Sequence, residues 1–256
     1  MSRTVLIPAA GAGSRFSRKG IATPKPLIQV NGETLLERTI ACFNSAPGDR
    51  LLLAVQRQHR VREQLDARLQ IRFPQQTLHW VELDGLLPGQ LATATAATEH
   101  LLERVPDCAD DQLLIHNCDT GFAWTEALAH IPGFAAMAVF EAEGDHWSFG
   151  LPDPSDPERA VAIAEKQRIS NLASIGLYGF ATAAGFLHQA RQQLQQGETV
   201  RGEHYIAPML QQAITAGKTI SLPRVNGVQL YGTPSELCRT FSISLENLQQ
   251  QNPTDH

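Results

Sequence analysis

The sequence has few cysteines and no long hydrophobic run. Its four cysteines form no CxxC pair and no Cys/His cluster with the spacing of a zinc site. We therefore expect all four to be reduced and structural: Cys42, Cys108, Cys118 and Cys238. No apolar stretch is long enough to span a bilayer, and the first residues lead into a predicted strand rather than a signal peptide. These absences predict a cytoplasmic protein with no membrane partner.

Positive charge is also scarce. The 256 residues have a formal net charge of -5, and only four of the 21 basic residues are lysines. Nucleic acids and anionic membranes bind clustered positive charge, so the composition disfavours both as the main partner. Two of the four lysines, Lys25 and Lys166, fall inside motifs, which supports a special role for them.

The stretch VLIPAAGAGSRF, residues 5–16, is the most informative part of the chain. An apolar run that leads directly into small residues predicts a buried strand whose exit loop lets the backbone approach a ligand closely. The loop residues are Ala10, Gly11, Ala12 and Gly13. The dinucleotide fingerprint would need a glycine at Phe16, and the P-loop would need Gly-Lys-Ser/Thr, so neither fits. A plain structural turn remains the alternative, because Gly-x-Gly after a strand is common.

Two cations follow this loop, Arg15 and Lys25, the second within Pro24-Lys25-Pro26-Leu27. Backbone N–H groups together with fixed positive charge suit a polyanionic phosphate chain. We therefore predict a triphosphate site.

The order of predicted elements indicates an α/β fold. Buried strands are expected at residues 51–55, 78–83, 112–118 and 135–140, and helices at 36–43, 58–72, 92–102 and 125–131. Later helices are expected at 183–196, 205–216 and 235–248, and a short strand at 219–222. The alternation predicts a mainly parallel sheet with helices on both faces and ligands at the carboxyl ends of the strands.

Two candidate sites lie at such strand ends. Gly89 and Gln90 connect a strand to a helix, where their amides could contact a nucleoside, with a plain turn and N-cap as the alternative. Asp119 follows a buried strand directly, and a carboxylate there can hold Mg²⁺ against triphosphate oxygens; capping of the next turn is its alternative. We expect the nearby His116 to be a core residue.

From Trp147 to Tyr178, short strands around a proline-rich turn predict an antiparallel excursion over the sheet edge that forms an acceptor pocket.

The glycine loop with Arg15 and Pro24-Lys25-Pro26-Leu27 resembles the signature of the sugar-phosphate nucleotidylyltransferases. Three further blocks, at residues 149–151, 165–166 and 170–178, are similar to that family's Tyr-Gly-Val, Glu-Lys-Pro and Ser-Asn-x-Ala-x-x-Gly-Leu-Tyr. Residues 201–203 and 232–237 resemble its Arg-Gly-Glu block and its Gly-Thr-Pro helix start, so the similarity runs from Val5 to about Phe241. Residues 147–149, 169–170 and 205–208 resemble a bacterial branch associated with capsule or surface polysaccharide, whose acceptors are not always sugars.

The resemblance implies a Rossmann-like mixed sheet of the glycosyltransferase-A type. It also implies that the protein catalyses nucleotidyl transfer. An acceptor phosphate oxygen attacks the α-phosphorus of a nucleoside triphosphate, and pyrophosphate leaves. The partners would be the triphosphate and a phosphorylated small acceptor, with Mg²⁺ as cofactor. No general base is needed, because the acceptor phosphate is already ionised, and the enzyme brings two polyanions together.

Residue roles follow from the same resemblance. The backbone of the loop from Ala10 to Gly13 would hold the nucleotide, Arg15 the departing phosphates and Lys25 the α-phosphate. Asp119 would bind Mg²⁺, and Lys166 the acceptor phosphate. The remaining expected contacts are Gly89 and Gln90 with the nucleoside, Asp84 with the base, and Gly150, Glu165 and Asn171 with the acceptor.

The sequence departs from the family at several positions. Many relatives have a second metal-binding Asp where this chain has Leu230. Either a single metal ion, held by Asp119 and the triphosphate, is enough for the reaction, or Asp84 or Asp145 replaces the missing Asp. The Pro expected after Glu165-Lys166 is Gln167. Asp84 is near the sequence position where related thymidylyl- and uridylyltransferases often have a Gln that reads the base. An ionised Asp only accepts hydrogen bonds, which suits the cytosine amino group better than a uracil ring and therefore favours CTP.

Two other functions remain open. A glycosyltransferase that uses an NDP-sugar could share the fold and Asp119, but the chain lacks a second acid of an Asp-x-Asp motif there. A non-catalytic nucleotide sensor would fit the missing acid at Leu230.

We expect one domain over residues 1–245, with a nucleotide-binding part at about 1–140 and an acceptor-binding part at about 141–245. We expect residues 246–256 to form a polar tail that is frayed from Gln249 onwards. Homo-oligomers are also possible.

Overall fold

The computed structural model describes residues 2–253, in which there are thirteen strands and eight α-helices. The strands are β1 (Arg3–Pro8), β2 (Gln29–Val30), β3 (Glu33–Thr34), β4 (Arg50–Gln56), β5 (Thr77–Leu83), β6 (Gln112–His116), β7 (Thr120–Ala123), β8 (Ala135–Glu141), β9 (Ser148–Asp153), β10 (Asp156–Glu165), β11 (Leu172–Phe180), β12 (Ile220–Ser221) and β13 (Asn226–Leu230). The helices are α1 (Ser14–Ser17), α2 (Leu35–Ile40), α3 (Val61–Arg72), α4 (Gln90–Arg104), α5 (Ala183–Gln196), α6 (Ile206–Thr215), α7 (Pro234–Phe241) and α8 (Leu245–Gln251).

Nine strands form one mixed sheet in the order β5-β4-β1-β6-β11-β8-β12-β10-β9. Strands β5, β4, β1 and β6 are parallel, and β11 is antiparallel to its neighbours β6 and β8. This architecture confirms the predicted α/β class with a mainly parallel, helix-flanked sheet. None of the helices in residues 2–253 is long and apolar enough to cross a membrane.

The central strands are apolar on both faces because helices cover both sides of the sheet. In β1, Leu6 packs into one core cluster, whereas Val5 and Ile7 pack into the cluster on the opposite face. Alternate residues of β4 divide in the same way. The alanines of α4 let this helix lie close to the sheet, with Ala94 and Ala97 fully buried. His116 is fully buried as predicted, and the four cysteines are free.

The second half of the sheet differs from the prediction. β9 and β10 do form an antiparallel hairpin at the sheet edge, but β11 lies in the interior between β6 and β8. All nine residues of β11 are buried, which explains its nearly continuous apolar sequence. The idea that the whole segment passes over the edge was therefore wrong for β11.

The C-terminal segment also differs from the predicted frayed tail. Up to residue 253 it is ordered: α8 buries Leu248 in a small third cluster that also contains Phe16 and Tyr231. The side chain of Asn252 accepts a hydrogen bond from the Gln29 amide at 2.7 Å and donates one to the Gln29 carbonyl at 2.9 Å. The prediction was wrong for these residues because it could not include this long-range pairing; residues 254–256 lie outside the described part.

Three smaller corrections concern short elements. The helix expected at 125–131 is only a 3-10 turn, Glu126–Leu128, although Leu128 and Ile131 are both buried in the core. The helix expected at 235–248 is divided into α7 and α8 by Ser242, whose φ of 52° ends α7. The small sheet formed by β7 and β13 was not predicted.

Candidate active site

The carboxyl ends of the parallel strands open onto two adjoining clefts of about 670 Å³ and 380 Å³. The larger cleft contains the glycine loop and the turn before α4, and the smaller lies beside β9, β10 and β11. We call them the nucleotide cleft and the acceptor cleft, after the ligands that the sequence predicts. Six residues line both clefts: Arg15, Gln90, Asn117, Asp119, Arg201 and Gly232.

The glycine loop is fixed by its neighbours and open on its outer side. The buried Gln56 donates a hydrogen bond from Nε2 to the Ala10 carbonyl at 2.6 Å. Gly13, with a φ of 62°, turns the chain into α1, which Phe16 anchors in the core. A Cβ at Gly11 would meet no protein atom within 4 Å. The backbone between these anchors is thus held in place with free space in front of it.

The charges in the nucleotide cleft are partly paired. Lys25 Nζ lies 2.5 Å from Asp119 Oδ2, and both side chains are about one-fifth exposed. Burial alone would raise the pKa of the Asp119 carboxyl, but the Lys25 ammonium lowers it below its usual value. Arg15 is exposed on α1 and has no ion-pair partner among residues 2–253. The cleft therefore keeps uncompensated positive charge for an anionic ligand.

The turn that contains Gly89 is held by the backbone of His204. The His204 amide donates to the Pro88 carbonyl at 2.9 Å, and the Leu91 amide donates to the His204 carbonyl at 3.0 Å. Gly89 has a φ of 105°, and a Cβ there would lie 2.5 Å from the His204 carbonyl oxygen. Glycine is therefore required at this position.

Gln90 is connected to the floor of the cleft. Its Nε2 donates a hydrogen bond to Asn117 Oδ1 at 2.6 Å. The Asn117 side chain in turn packs against Gly176, where an added Cβ would lie 2.2 Å from Asn117 Nδ2. This contact gives a physical reason for the glycine in the block at residues 170–178.

The acceptor cleft is built from side chains rather than backbone. Lys166 Nζ lies 4.0 Å from the ring centroid of Tyr205 and donates a hydrogen bond to its hydroxyl. That hydroxyl in turn donates to Glu203 Oε2 at 2.5 Å. Glu165 accepts a hydrogen bond from the Ser148 hydroxyl, and burial raises the pKa of its carboxyl.

Most of the predicted site residues lie in the two clefts. The nucleotide cleft contains Ala10, Gly11, Ala12, Gly13, Arg15, Lys25, Gly89, Gln90 and Asp119, and the acceptor cleft contains Glu165 and Lys166. Three do not line either cleft. Asp84 is 86% exposed and paired with Arg57, and Asn171 is exposed and accepts a hydrogen bond from Arg168. Gly150 faces the core, where a Cβ would lie 2.7 Å from Leu222.

Several cleft residues had no role in the sequence prediction. Asn117, Tyr205 and Glu236 are examples, as are Arg201 and Glu203. Arg201 and Glu203 belong to the Arg-Gly-Glu block and Glu236 to the Gly-Thr-Pro block, so these two motifs did indicate the part of the chain in which they lie. Nothing in the sequence distinguished Asn117 from any other residue at a strand end.

A family model for the MobA-like NTP transferase domain matches residues 5–194 of the chain. The chain belongs to this family. As a MobA-like NTP transferase it is a nucleotidyltransferase, which confirms the class of enzyme expected from the motifs. No curated protein sequence matches it significantly.

Solved structures similar to this NTP transferase extend over nearly the whole chain. A nucleoside-diphosphate-sugar pyrophosphorylase from Vibrio cholerae RC9 is 28% identical, covers 93% of this chain and 99% of its own, and has a TM-score of 0.80. An inositol-1-phosphate CTP transferase from T. maritima is 15% identical over 99% of this chain and 98% of its own, with a TM-score of 0.70. A UDP-glucose pyrophosphorylase complexed with UDP-glucose is 15% identical over 94% and 98%, with a TM-score of 0.72. The last two similarities show the shared fold.

Proposed function

We propose that this nucleotidyltransferase moves an NMP group from a nucleoside triphosphate to the phosphate of a small acceptor, a sugar phosphate or a similar compound, and releases pyrophosphate. The observation that carries the proposal is the shared wall of the two clefts, where six residues face both. A group transferred between two ligands has to lie at such a junction. The pyrophosphorylase from Vibrio cholerae is consistent with this reaction.

On the nucleotide side, the backbone from Ala10 to Gly13 binds the phosphates at close range. Arg15 neutralises the charge that accumulates on the leaving pyrophosphate, and Lys25 contacts the α-phosphate. Lys25 exchanges its ion pair with Asp119 for phosphate oxygens as the triphosphate enters. Gly89 and Gln90 lie against the nucleoside. These groups supply preorganised positive charge and donors to the in-line displacement.

Asp119 suits a divalent cation because Mg²⁺ prefers hard oxygen ligands. Among residues 2–253, no three acidic, His or Cys side chains are grouped closely enough to hold an ion by themselves. Most ligands would therefore be phosphate oxygens and water, as is usual for Mg²⁺. When bound, Mg²⁺ neutralises phosphate charge, whereas Asp119 fixes where that charge is neutralised.

On the acceptor side, Lys166 binds the acceptor phosphate, and Arg201 lies at the junction where this phosphate meets the nucleotide. Glu165, with Ser148, accepts hydrogen bonds from the polar body of the acceptor. Asp84, Gly150 and Asn171 contribute indirectly at most, because they lie outside both clefts. A role in surface-polysaccharide precursor synthesis stays a prediction from the resemblance, as do homo-oligomers. The preference for CTP was inferred from Asp84 as the base-reading residue, and it loses this support because Asp84 is paired with Arg57 outside both clefts.

The experiment begins with melting temperatures in the presence of ATP, CTP, GTP, UTP or dTTP, with and without Mg²⁺. A triphosphate at 100 times its dissociation constant stabilises the fold by about 2.7 kcal/mol, which corresponds to roughly 5–10 °C. The triphosphate so identified is then incubated with sugar 1-phosphates and other phosphorylated acceptors, and pyrophosphate is measured. Binding without pyrophosphate release would favour the sensor, and stabilisation by nucleotide sugars alone would favour the glycosyltransferase.

A further inference from the structure

The helix α8 and its C-cap residue hold both ends of the segment that carries Lys25. We call this segment, residues 19–29, the lysine loop. Gln249 Nε2 on α8 donates a hydrogen bond to the carbonyl of the first loop residue at 2.8 Å. The C-cap Asn252 pairs with the amide and the carbonyl of the last loop residue, at 2.7 Å and 2.9 Å. Lys25 lies between these two attachments.

Apolar packing fixes the same helix against the loop. Leu248 of α8 is fully buried in the third cluster, which also contains Ile21 and Ile28 of the lysine loop. Asn252 is only 3% exposed, and its Nδ2 also donates to the Leu248 carbonyl at 2.9 Å. A buried amide that loses its partners is costly, so the packing specifies one position of the loop relative to α8.

The middle of the lysine loop is rigid. Pro24 and Pro26 each fix one backbone dihedral angle, and Lys25–Leu27 form a 3-10 turn. The Leu27 amide donates to the Pro24 carbonyl at 2.8 Å within this turn. A rigid turn moves as a unit when one of its ends moves. The position of Lys25 therefore depends on the attachments at the two ends of the loop.

The position of Lys25 matters because it faces the nucleotide cleft. Its Nζ lies 2.5 Å from Asp119 Oδ2, and its Cβ would lie 3.8 Å from a Cβ at Gly13 in the glycine loop. The lysine loop thus places this ammonium group beside the backbone that is proposed to bind the phosphates. A misplacement of about 1 Å can cost about 100-fold in the rate of an enzyme.

We propose that Asn252 and Gln249 are positioning residues, which hold the lysine loop so that the Lys25 ammonium meets the α-phosphate of the triphosphate. The inference rests on the proposed function, since that function gives Lys25 its phosphate. Residues 245–252 are all described in the structure and line neither cleft, so α8 acts on the nucleotide cleft from outside it.

The first test measures how fast each lysine of the ligand-free protein reacts with sulfo-NHS acetate, with the products located by mass spectrometry. The side chains of Lys25 and Lys166 are 20% and 18% exposed, so Lys166 is an internal control of equal accessibility. We expect Asn252→Ala to raise the rate at Lys25 at least about 5-fold, the change in population that the loss of one hydrogen bond produces. The rate at Lys166 should not change. Asn247→Ala, which removes an exposed side chain on α8, should change neither rate.

A second variant releases the other end of the loop. Gln249→Ala should also raise the rate at Lys25, whereas Gln250→Ala, its exposed neighbour on α8, is the matched control. An unchanged rate at Lys25 in either test variant would remove that residue from the inference. Rates that rise together at Lys25, Lys166 and Lys218 would show a general loosening of the fold and would overturn the positioning role.

A double-mutant cycle tests whether Asn252 acts on the reaction through Lys25. Asn252→Ala alone should lower kcat/KM for pyrophosphate release about 10-fold, measured with the triphosphate and the acceptor that the screen identifies. In the Lys25→Ala background the same substitution should cause no further loss, because the group that it positions is gone. Equal losses in the two backgrounds would contradict the inference.

The two measurements separate this inference from the proposed function. A selective rise of the acetylation rate at Lys25, in a protein that releases no pyrophosphate with any acceptor, supports the hold of α8 on the lysine loop and contradicts the reaction. Pyrophosphate release with unchanged acetylation of Lys25 in both variants supports the reaction and overturns the positioning role of α8.

Discussion

The two clefts meet at one wall but are built differently. The nucleotide cleft uses backbone from a few continuous segments, with glycines where the chain must turn sharply or approach closely. The acceptor cleft uses side chains from separate strands, such as Ser148, Glu165 and Tyr178, which only the tertiary fold brings together. A backbone site is suited to what all its ligands share, which for the proposed reaction is a phosphate chain. A side-chain site can change its ligand through a few substitutions.

The largest expected effect concerns the cations of the nucleotide cleft. Lys25→Ala or Arg15→Ala should lower kcat/KM at least about 100-fold, because each removes a charge donor that acts on the reacting phosphates. Steady-state pyrophosphate release measures this loss. Lys19→Ala and Arg18→Ala, which remove exposed cations outside the clefts, are the controls. If either cleft variant kept most of its kcat/KM, that residue would have no place in the mechanism.

The second prediction concerns the backbone of the nucleotide cleft. Gly89→Ala should raise the KM for the triphosphate about 10-fold and lower Tm by about 5 °C or more, because a side chain at φ 105° is strained and overlaps the His204 carbonyl. Gly85→Ala, in the same connection, adds its methyl group to open space and should behave like wild type. Equal behaviour of the two variants would contradict the idea of a backbone-built cleft.

The third prediction separates the two clefts. Tyr205→Phe removes the hydroxyl that joins Lys166 to Glu203, and the KM for the acceptor should rise about 3- to 10-fold, the value of one hydrogen bond. The KM for the triphosphate should stay the same. Tyr231→Phe, which removes a hydroxyl paired with Thr39 in the core, should lower Tm without changing either KM. A parallel rise in both KM values for Tyr205→Phe would mean that the clefts are not separable.

The smallest expected effect is a pair of opposite pH dependences. The pKa of Asp119 is lowered in the folded state, so its contribution to stability is present above its unfolded pKa of about 3.9 and is lost as the pH falls through the lowered value. The cost of Asp119→Asn should therefore shrink below about pH 4.

The pKa of Glu165 is raised, so the folded state is penalised once the pH exceeds the unfolded pKa of about 4.3, and the penalty grows until the raised pKa is passed. Glu165→Gln should therefore gain stability relative to wild type as the pH rises. Tm measured between pH 3 and 8 for wild type and both variants gives the two slopes. Slopes of the same sign would show that the two carboxylates do not differ in the way their surroundings indicate.

Much of the fold was predictable because its signals are local. The apolar run at 51–55 predicted β4, and the run at 112–118 predicted β6, which ends two residues earlier at His116. The helix α5 has the predicted bounds because its apolar positions repeat at helical spacing. The interior position of β11 and the pairing of Asn252 with Gln29 depend on contacts distant in sequence. No local pattern contains such contacts.

The candidate site shows the same division. The glycine loop and Lys25 were predicted from their glycines, their positive charge and the family resemblance, whereas Gly89 and Asp119 were predicted because the carboxyl ends of parallel strands converge on one edge. Gly150 and Asn171 belong to blocks that resemble the family's, but a block does not say which way each residue faces, and these two lie outside the clefts. Glu236 was missed because its proximity to Asp119 arises from the turn at Gly232.

The interior strand β11 is made late during synthesis. β6 ends at His116 and β11 begins at Leu172, so at ribosomal rates roughly 3–11 s pass before the edge of β6 receives its partner. Throughout this interval β6 presents unpaired N–H and C=O groups, and β8 joins the sheet only through β11 or the still later β12. A chain that stalls between these strands carries the glycine loop and the predicted nucleotide-binding half, yet exposes an edge that can pair with another nascent chain.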